Sequence, residues 1–125
     1  MPWLPRLHSD ADDRRYFADR VIGQCDVIVV RRQRLPIGFL ALRDDVVEHL
    51  YVRPDFQRAG IGSALLEVAK RRRPGGLRLW VFHRNHGARA FYGRHGFTEI
   101  RRTDGANNEE HEPDMLLAWE AAPLR

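Results

Sequence analysis

The segment from Gln57 to Ser63, Gln-Arg-Ala-Gly-Ile-Gly-Ser, has the clearest chemical character in this sequence. Glycines allow backbone N–H groups to turn inward around an anion, and the N-terminus of a following helix adds partial positive charge. Gly60 and Gly62 therefore predict a loop that holds a phosphate or pyrophosphate group. Glycine pairs also occur in ordinary turns, so this interpretation depends on the elements that flank the loop.

Two familiar phosphate-binding motifs do not match this loop. No Gly-Lys-Ser or Gly-Lys-Thr follows Gly60, which excludes the P-loop of NTPases. No third glycine, and no acidic residue about 20 positions further on, completes a dinucleotide-binding fingerprint. The loop must therefore bind phosphate in another structural context.

The flanking elements support a phosphate-binding loop. The apolar run Val46 to Val52 predicts a strand that stops at Pro54. After the loop, Ile61 to Arg73 carries apolar residues on one helical face and basic residues in its last turn. Leu77 to Phe82 then predicts a strand, and the intervening helix favours a parallel arrangement of the two strands. The loop would thus begin the helix of a βαβ unit.

The rest of the chain predicts further short elements. Asp26 to Arg32 and Ile37 to Leu42 are apolar runs that indicate a β-hairpin. Apolar residues near helical spacing from Tyr16 to Ile22, preceded by Asp10, Asp12 and Asp13, predict an amphipathic helix that Gly23 ends.

Downstream, Asn85 is expected to cap a short helix that stops at Gly96. Phe97 to Arg101 and Met115 to Trp119 would supply the closing strands. With 125 residues, 43% of them hydrophobic, the chain is long enough for one compact domain and too short for two. We therefore expect a mixed α/β sandwich with a single domain over residues 1–125.

A second motif follows the loop by about 25 residues in the order of the chain, and it fits the pattern NxxAxxFYxxxGF. Its residues are Asn85, Ala88, Phe91, Tyr92, Gly96 and Phe97. Together with Gln57, Gly60 and Gly62 in a QxxGxG pattern, it resembles the GNAT superfamily of N-acetyltransferases. The resemblance runs from roughly Val27 to Glu120. It implies a central mixed, mostly antiparallel sheet flanked by helices, with a splayed pair of parallel strands that holds coenzyme A (CoA).

The resemblance also implies acetyl-CoA as co-substrate and no metal. The pyrophosphate would lie against the loop, the backbones of Tyr51 and Val52 would pair with the pantetheine arm, and Asn85 could contact that arm as well as cap its helix. The implied cofactor-binding loop residues are Gln57, Arg58, Ala59, Gly60, Ile61, Gly62 and Ser63.

Amide formation from a thioester needs a neutral amine, a polarised carbonyl and a proton for the departing thiolate. The resemblance implies that Tyr92 is the general acid that supplies this proton. A phenol has a pKa of about 10, so it is protonated at neutral pH. The alternative is that Tyr92 packs beside Phe91 as an ordinary core aromatic.

Glu48 is the best internal candidate for the base that takes a proton from the amine. Strand alternation would place it on the same face as Leu50 and Val52. Many relatives carry the glutamate two residues earlier, where this chain has Val46. Weaker alternatives are Glu110, His111 and a chain of water molecules.

The polar segment from Asp104 to Asp114 is acidic and contains no Lys or Arg, in a chain whose net charge is +4. In the family, this segment borders the acceptor side of the cleft. We therefore expect Glu109 and Glu110 to attract a positively charged amine, presented by a turn at Asn107 and Asn108. The alternative is a solvated loop whose carboxylates pair with nearby arginines.

These patterns lead us to expect an acetyl-CoA-dependent N-acetyltransferase that acts on a small-molecule or peptide amine by direct attack. Its alternatives are a non-catalytic CoA-binding module of the same fold and a basic nucleic-acid-binding protein. The basic run Lys70 to Arg73 lacks interleaved aromatic residues for base stacking, so we expect no nucleic-acid partner. The N-terminal part is short for the family, and a second subunit in a homodimer could complete the acceptor side.

Two further expectations come from composition. No apolar run approaches the ~18 residues that span a bilayer, so we expect a cytoplasmic protein without a membrane partner. The lone cysteine, Cys25, excludes an internal disulfide and is more typical of a buried structural thiol than of a nucleophile.

Overall fold

The computed structural model describes residues 15–121, with side chains described from Gly23 onward. The chain divides into two compact units at the boundary between Arg72 and Arg73. The prediction of a single domain over residues 1–125 stays a prediction. No helix in the described part of the chain combines the length and apolar character that a membrane crossing needs.

The first unit is an antiparallel meander followed by one helix. Its elements are β1 (Arg15–Ile22), β2 (Cys25–Arg32), β3 (Leu35–Arg43), β4 (Val46–Val52) and α1 (Ile61–Arg72). The strands pair in chain order, and each of the three connections is a turn of two residues. Gly23, Gln33 and Asp44, with φ of 60°, 57° and 54°, take the first position of these turns. Such left-handed residues match the turn to the right-handed twist of the flanking strands.

The predicted helix from Tyr16 to Ile22 is wrong, because this segment is strand β1. It pairs with β2 along its whole length, from Arg15 opposite Arg32 to Ile22 opposite Cys25. The apolar residues of this segment occur in adjacent pairs, so the helical period is weak. The hydrogen-bonded ladder with β2 makes the segment a strand.

The signal that favours a hairpin is the Gly-Gln turn that follows this segment, since glycine is preferred at the first position of one class of two-residue turn. The aspartates predicted for the first helical turn (Asp10, Asp12 and Asp13), and the segment from Trp3 to Leu7, lie outside the described residues.

Helix α1 covers one face of the meander, chiefly that of β3. Its buried stripe comprises Ile61, Leu65, Leu66, Val68 and Ala69, the spacing that one helical face requires. On the sheet, Ile28, Val30, Leu40 and Leu42 are fully buried. The predicted helix is confirmed to within one residue at its end.

The second unit contains β5 (Leu77–Phe82), α2 (His86–Arg94), β6 (Thr98–Thr103) and β7 (Asp114–Trp119). Strand β7 lies between β5 and β6 and pairs antiparallel with both. The predicted strand Leu77 to Phe82 and the short helix after Asn85 are confirmed. Strand β6 extends two residues beyond its predicted end, because its ladder with β7 continues to Thr103 opposite Asp114.

Candidate functional site

The loop between β4 and α1 contains two left-handed residues just before the helix N-terminus. A 3-10 turn at Pro54–Phe56 follows β4, and Arg58 and Gly60 then adopt φ of 67° and 80°. Helix α1 begins at the next residue, and the Gly60 carbonyl accepts its first hydrogen bond from the Ala64 N–H at 3.0 Å. Left-handed residues beside a helix N-terminus are a combination that anion-binding loops use.

This loop fits a pyrophosphate group. The N-terminus of a helix carries partial positive charge, and it is therefore a common site for a bound anion. A Cβ placed on Gly60 would meet no atom within 4 Å, which shows open space beside the loop. The Arg58 side chain is exposed and could add a charge-assisted contact.

Gln57 has a contact that its motif does not reveal. Its side-chain Nε2 donates a hydrogen bond to the Val52 carbonyl at 3.1 Å. The side chain therefore ties the loop to the end of β4, rather than pointing away from the chain toward a ligand.

Tyr51 and Val52 lie at the end of β4, opposite Phe39 and Gly38 of β3. Tyr51 is 48% exposed, and its ring lies 5.9 Å from the Phe39 ring, measured between centroids. Both residues line an open apolar cavity of about 530 Å³ on the first unit. The sequence does not reveal this cavity, because its lining comes from three separate strands, β2, β3 and β4.

Glu48 lies at an irregularity in the β3–β4 ladder. Ala41 pairs with His49 and Leu42 pairs with Val47, so Glu48 is an extra residue without a partner across the ladder. Such a bulge interrupts the alternation of faces on which its predicted orientation rested. The carboxylate is exposed. Glu48 therefore remains accessible to solvent as a base candidate, while its role stays a prediction.

Tyr92 lies in α2, within an aromatic group. Its ring centroid is 5.2 Å from that of Phe91 and 5.6 Å from that of Phe97, both in edge-to-face geometry. Burial raises the pKa of the Tyr92 phenol above its ordinary value of 10.0, because the ionised form is poorly solvated there. The group thus stays a protonated donor at neutral pH, and the packing role and the acid role are compatible.

Asn85 caps α2, as predicted. Its Oδ1 accepts a hydrogen bond from the Ala88 N–H at 3.1 Å. Two arginines, Arg89 and Arg102, contact His83 in the β5–α2 turn just before this cap. The sequence did not predict these contacts. Arg89 donates to the His83 carbonyl at 2.9 Å, and Arg102 contacts the His83 ring nitrogen at 3.2 Å.

Arg102 in turn makes two hydrogen bonds to the Glu99 carboxylate, at 2.8 and 3.0 Å, and these lower the pKa of that carboxyl group. No local motif signals the contact between Arg102 and His83, because these two residues are 19 positions apart in the chain.

The acidic segment between β6 and β7 is held together by its own hydrogen bonds. The Asn108 side chain donates to the Glu112 carbonyl at 2.7 Å and accepts from the Glu112 N–H at 3.1 Å. Asp114 bonds to both Thr103 and Asn108. Gly105 is buried with φ of 85°, and a Cβ there would lie 2.3 Å from the Glu112 backbone. An Asp-Gly pair favours such a tight turn, whereas the sequence prediction placed the turn at Asn107 and Asn108.

The acids of this segment have different roles. Asp104 accepts from the Ala106 N–H at 2.9 Å, and Glu112 lies 3.4 Å from the Arg84 guanidinium. The predicted alternative, in which carboxylates pair with arginines, thus holds for Glu112. Glu109 and Glu110 are exposed, and their attraction of a cationic amine stays a prediction.

The two units carry different parts of the predicted site. Glu48, Tyr51, Val52 and the phosphate loop belong to the first unit, whereas Asn85, Tyr92, Glu109 and Glu110 belong to the second. Among residues 23–121, no three His, Cys, Asp or Glu side chains form a group that could hold a metal ion.

The curated proteins to which this chain is similar include two N-acetyltransferases. An uncharacterized N-acetyltransferase of Methanocaldococcus jannaschii is 39% identical over 79 residues, covering 51% of this chain and 35% of the relative. A peptidyl-lysine N-acetyltransferase of Salmonella typhimurium is 34% identical over 77 residues, covering 62% of this chain and 52% of the relative. The chain therefore matches about a third to a half of the length of these relatives.

A GNAT family acetyltransferase from Elizabethkingia anophelis, solved with acetyl-CoA bound, has a TM-score of 0.72. At 16% identity it covers 87% of this chain and 99% of that chain, and this likeness confirms the predicted fold class. The model of the acetyltransferase (GNAT) domain matches residues 16–99, a range that contains both the phosphate loop and the Asn85–Phe97 motif. With these motifs in place on this fold, the chain belongs to the GNAT family of acetyltransferases.

Proposed function

We propose that this protein transfers an acetyl group from acetyl-CoA to an amine by direct attack in a ternary complex. The observation that carries the proposal is the loop from Gln57 to Ser63. Its left-handed Arg58 and Gly60 lead directly into the N-terminus of α1, with open space beside Gly60. The backbone N–H groups from Arg58 to Ser63 would hold the pyrophosphate.

When bound, acetyl-CoA supplies an activated acetyl thioester. The backbones of Tyr51 and Val52, at the end of β4, would orient its pantetheine arm, and Asn85 would add a contact from the start of α2. Tyr92 would hold a proton on its phenol oxygen and give it to the departing sulfur. Glu48 would accept a proton from the amine, directly or through water.

The acceptor that this proposal favours is a cationic amine on a small molecule or peptide. The curated Salmonella relative is a peptidyl-lysine N-acetyltransferase, so an ammonium group on a flexible side chain is a reasonable first acceptor to test. Glu109 and Glu110 support this choice, because the hydrogen bonds of Asn108 hold the loop that presents them.

The proposal is tested by incubating the purified protein with acetyl-CoA and a panel of amines, followed by mass spectrometry. The panel contains lysine peptides, peptide N-termini, small polyamines and neutral amines. We expect a mass increase of one acetyl group on at least one cationic acceptor. CoA binding with no product on any amine would favour the non-catalytic CoA-binding module instead.

The acidic loop leads to a prediction about acceptor choice. The double variant Glu109→Gln, Glu110→Gln should raise KM for a cationic amine by roughly 10-fold at low salt, since two exposed carboxylates each contribute modestly to attraction. KM for a neutral amine, and kcat for both, should change little. Steady-state kinetics at low and moderate salt measure these values.

The matched control is Glu120→Gln, which removes an exposed carboxylate of the same unit outside the loop. Equal loss for cationic and neutral amines, or no loss for either, would show that the loop does not select the acceptor.

A further inference from the structure

Gly38 lies where β3, β4 and the first turn of α1 approach one another. It pairs with Val52, the last residue of β4, and it is buried. A Cβ at this position would lie 2.9 Å from the Tyr51 carbonyl oxygen and 3.3 Å from a methyl carbon of Ile61. A side chain of any size would therefore have to displace the backbone of β4, the first turn of α1, or both.

The same strand end is fixed by two hydrogen bonds. The Arg53 N–H donates to the Ile37 carbonyl at 2.8 Å, which extends the ladder with β3 by one residue beyond β4. The Gln57 side chain donates to the Val52 carbonyl at 3.1 Å, which ties the following loop back to the strand. Gly38 thus allows β3 to approach the end of β4 and the first turn of α1, and Gln57 ties the connecting loop to β4.

This geometry has a direct relation to the proposed ligand. Acetyl-CoA would have to touch the backbone of Tyr51 and Val52 with its pantetheine arm and the loop with its pyrophosphate. A ligand held at two places loses affinity when the spacing between them changes, even if each place is intact.

We propose that Gly38 and Gln57 are positioning residues that set the spacing between the end of β4 and the phosphate-binding turn of α1. Neither side chain needs to touch the ligand for this role. The inference rests on the proposed function for its ligand. Its structural part, that Gly38 fixes the position of the first turn of α1, concerns the ligand-free protein and can be tested alone.

The ligand-free test is amide hydrogen exchange at Ala64, whose N–H donates the first hydrogen bond of α1 to Gly60. Gly38→Ala should speed exchange at Ala64 by about 10-fold, because the added methyl group pushes Ile61 and the first turn away from β3. Exchange in β7 should not change. An unaltered rate at Ala64 would overturn the inference, whatever the protein binds.

The ligand test is calorimetry with CoA. Gly38→Ala and Gln57→Met should each raise Kd by about 5- to 10-fold, the second because Met keeps the length of the side chain but cannot donate to Val52. Gly75→Ala is the matched control, since a Cβ there meets no atom within 4 Å. Gln57 is exposed, so its variant should fold even if Gly38→Ala does not.

A double-mutant cycle with Arg58→Ala separates positioning from general weakening. If Gly38 acts by aligning the loop, the loss of affinity from Arg58→Ala should be smaller in the Gly38→Ala background. Additive effects, or unchanged Kd in both the Gly38 and Gln57 variants, would overturn the inference. Absence of CoA binding to the unmodified protein would instead count against the proposed function. The exchange rate at Ala64 would still test whether Gly38 fixes the first turn of α1.

Discussion

Gly60→Val is expected to raise Kd for CoA by at least 100-fold in a protein that remains folded. Gly60 has φ of 80°, and a Cβ there would contact no atom within 4 Å. The branched side chain therefore meets no protein atom near its Cβ, and it occupies the space that the pyrophosphate needs against the N–H groups. The strain of a left-handed non-glycine residue, about 1–2 kcal/mol, should lower the melting temperature without unfolding the domain.

The matched control for this variant is Gly23→Val. Gly23 also has positive φ, at 60°, and a Cβ there also meets no atom within 4 Å, but it lies in the turn between β1 and β2. Calorimetry with CoA and thermal unfolding should show similar destabilisation in the two variants and loss of binding only in Gly60→Val. Similar CoA affinity in both would remove the loop from the binding site.

Tyr92→Phe should lower kcat by roughly 100-fold while leaving KM for acetyl-CoA nearly unchanged. Phenylalanine keeps the edge-to-face packing with Phe91 and Phe97, so the variant loses the proton donor and little else. A rate close to that of the unmodified enzyme would show that Tyr92 is a core aromatic and that the acid lies elsewhere.

The pH dependence of the rate gives a second readout for Tyr92. An acid is active while it is protonated, so activity falls as pH rises through its pKa. Burial raises the pKa of Tyr92 above 10.0, and the descending limb that belongs to this group should therefore lie above pH 10. Rates measured from about pH 7 upward should show no descending limb from this group below pH 10, and the limb above pH 10 should be absent in Tyr92→Phe.

Cys25→Ala is the control for direct transfer. Cys25 is half-buried on β2, and an acyl-enzyme on its thiol would give ping-pong kinetics. We expect the variant to stay active, with kinetics that require both substrates to be bound together. An inactive but folded Cys25→Ala variant would overturn the direct mechanism.

Local signals in the sequence were sufficient to place most of the elements that carry the candidate site. The bounds of β4 and β5 match the predicted runs, and α1 ends within one residue of its prediction. These elements have strong apolar periods and are bounded by proline and glycine, so the information needed to place them lies within a few residues. The Asn85 cap is likewise a contact between residues three apart. The turn that leads into α1 is also local, because it depends on Gly60 and on the helix that follows, while its binding of phosphate stays a prediction.

Contacts between distant residues decided the rest. β1 is a strand because its backbone forms a complete ladder with β2. The bulge at Glu48 depends on the register of β4 against β3, which alternation within β4 alone does not determine. Gly38 has no unusual φ and no motif. A Cβ at Gly38 would lie within 3.3 Å of the Tyr51 carbonyl oxygen and of the Ile61 side chain. Only the packed structure brings these two groups close to Gly38. The sequence by itself determined which groups could hold the phosphate and move the proton, because their chemistry and local geometry are carried by short segments. The tertiary structure decided the spacing between those segments, because hydrogen-bond register and close packing depend on residues far apart in the chain.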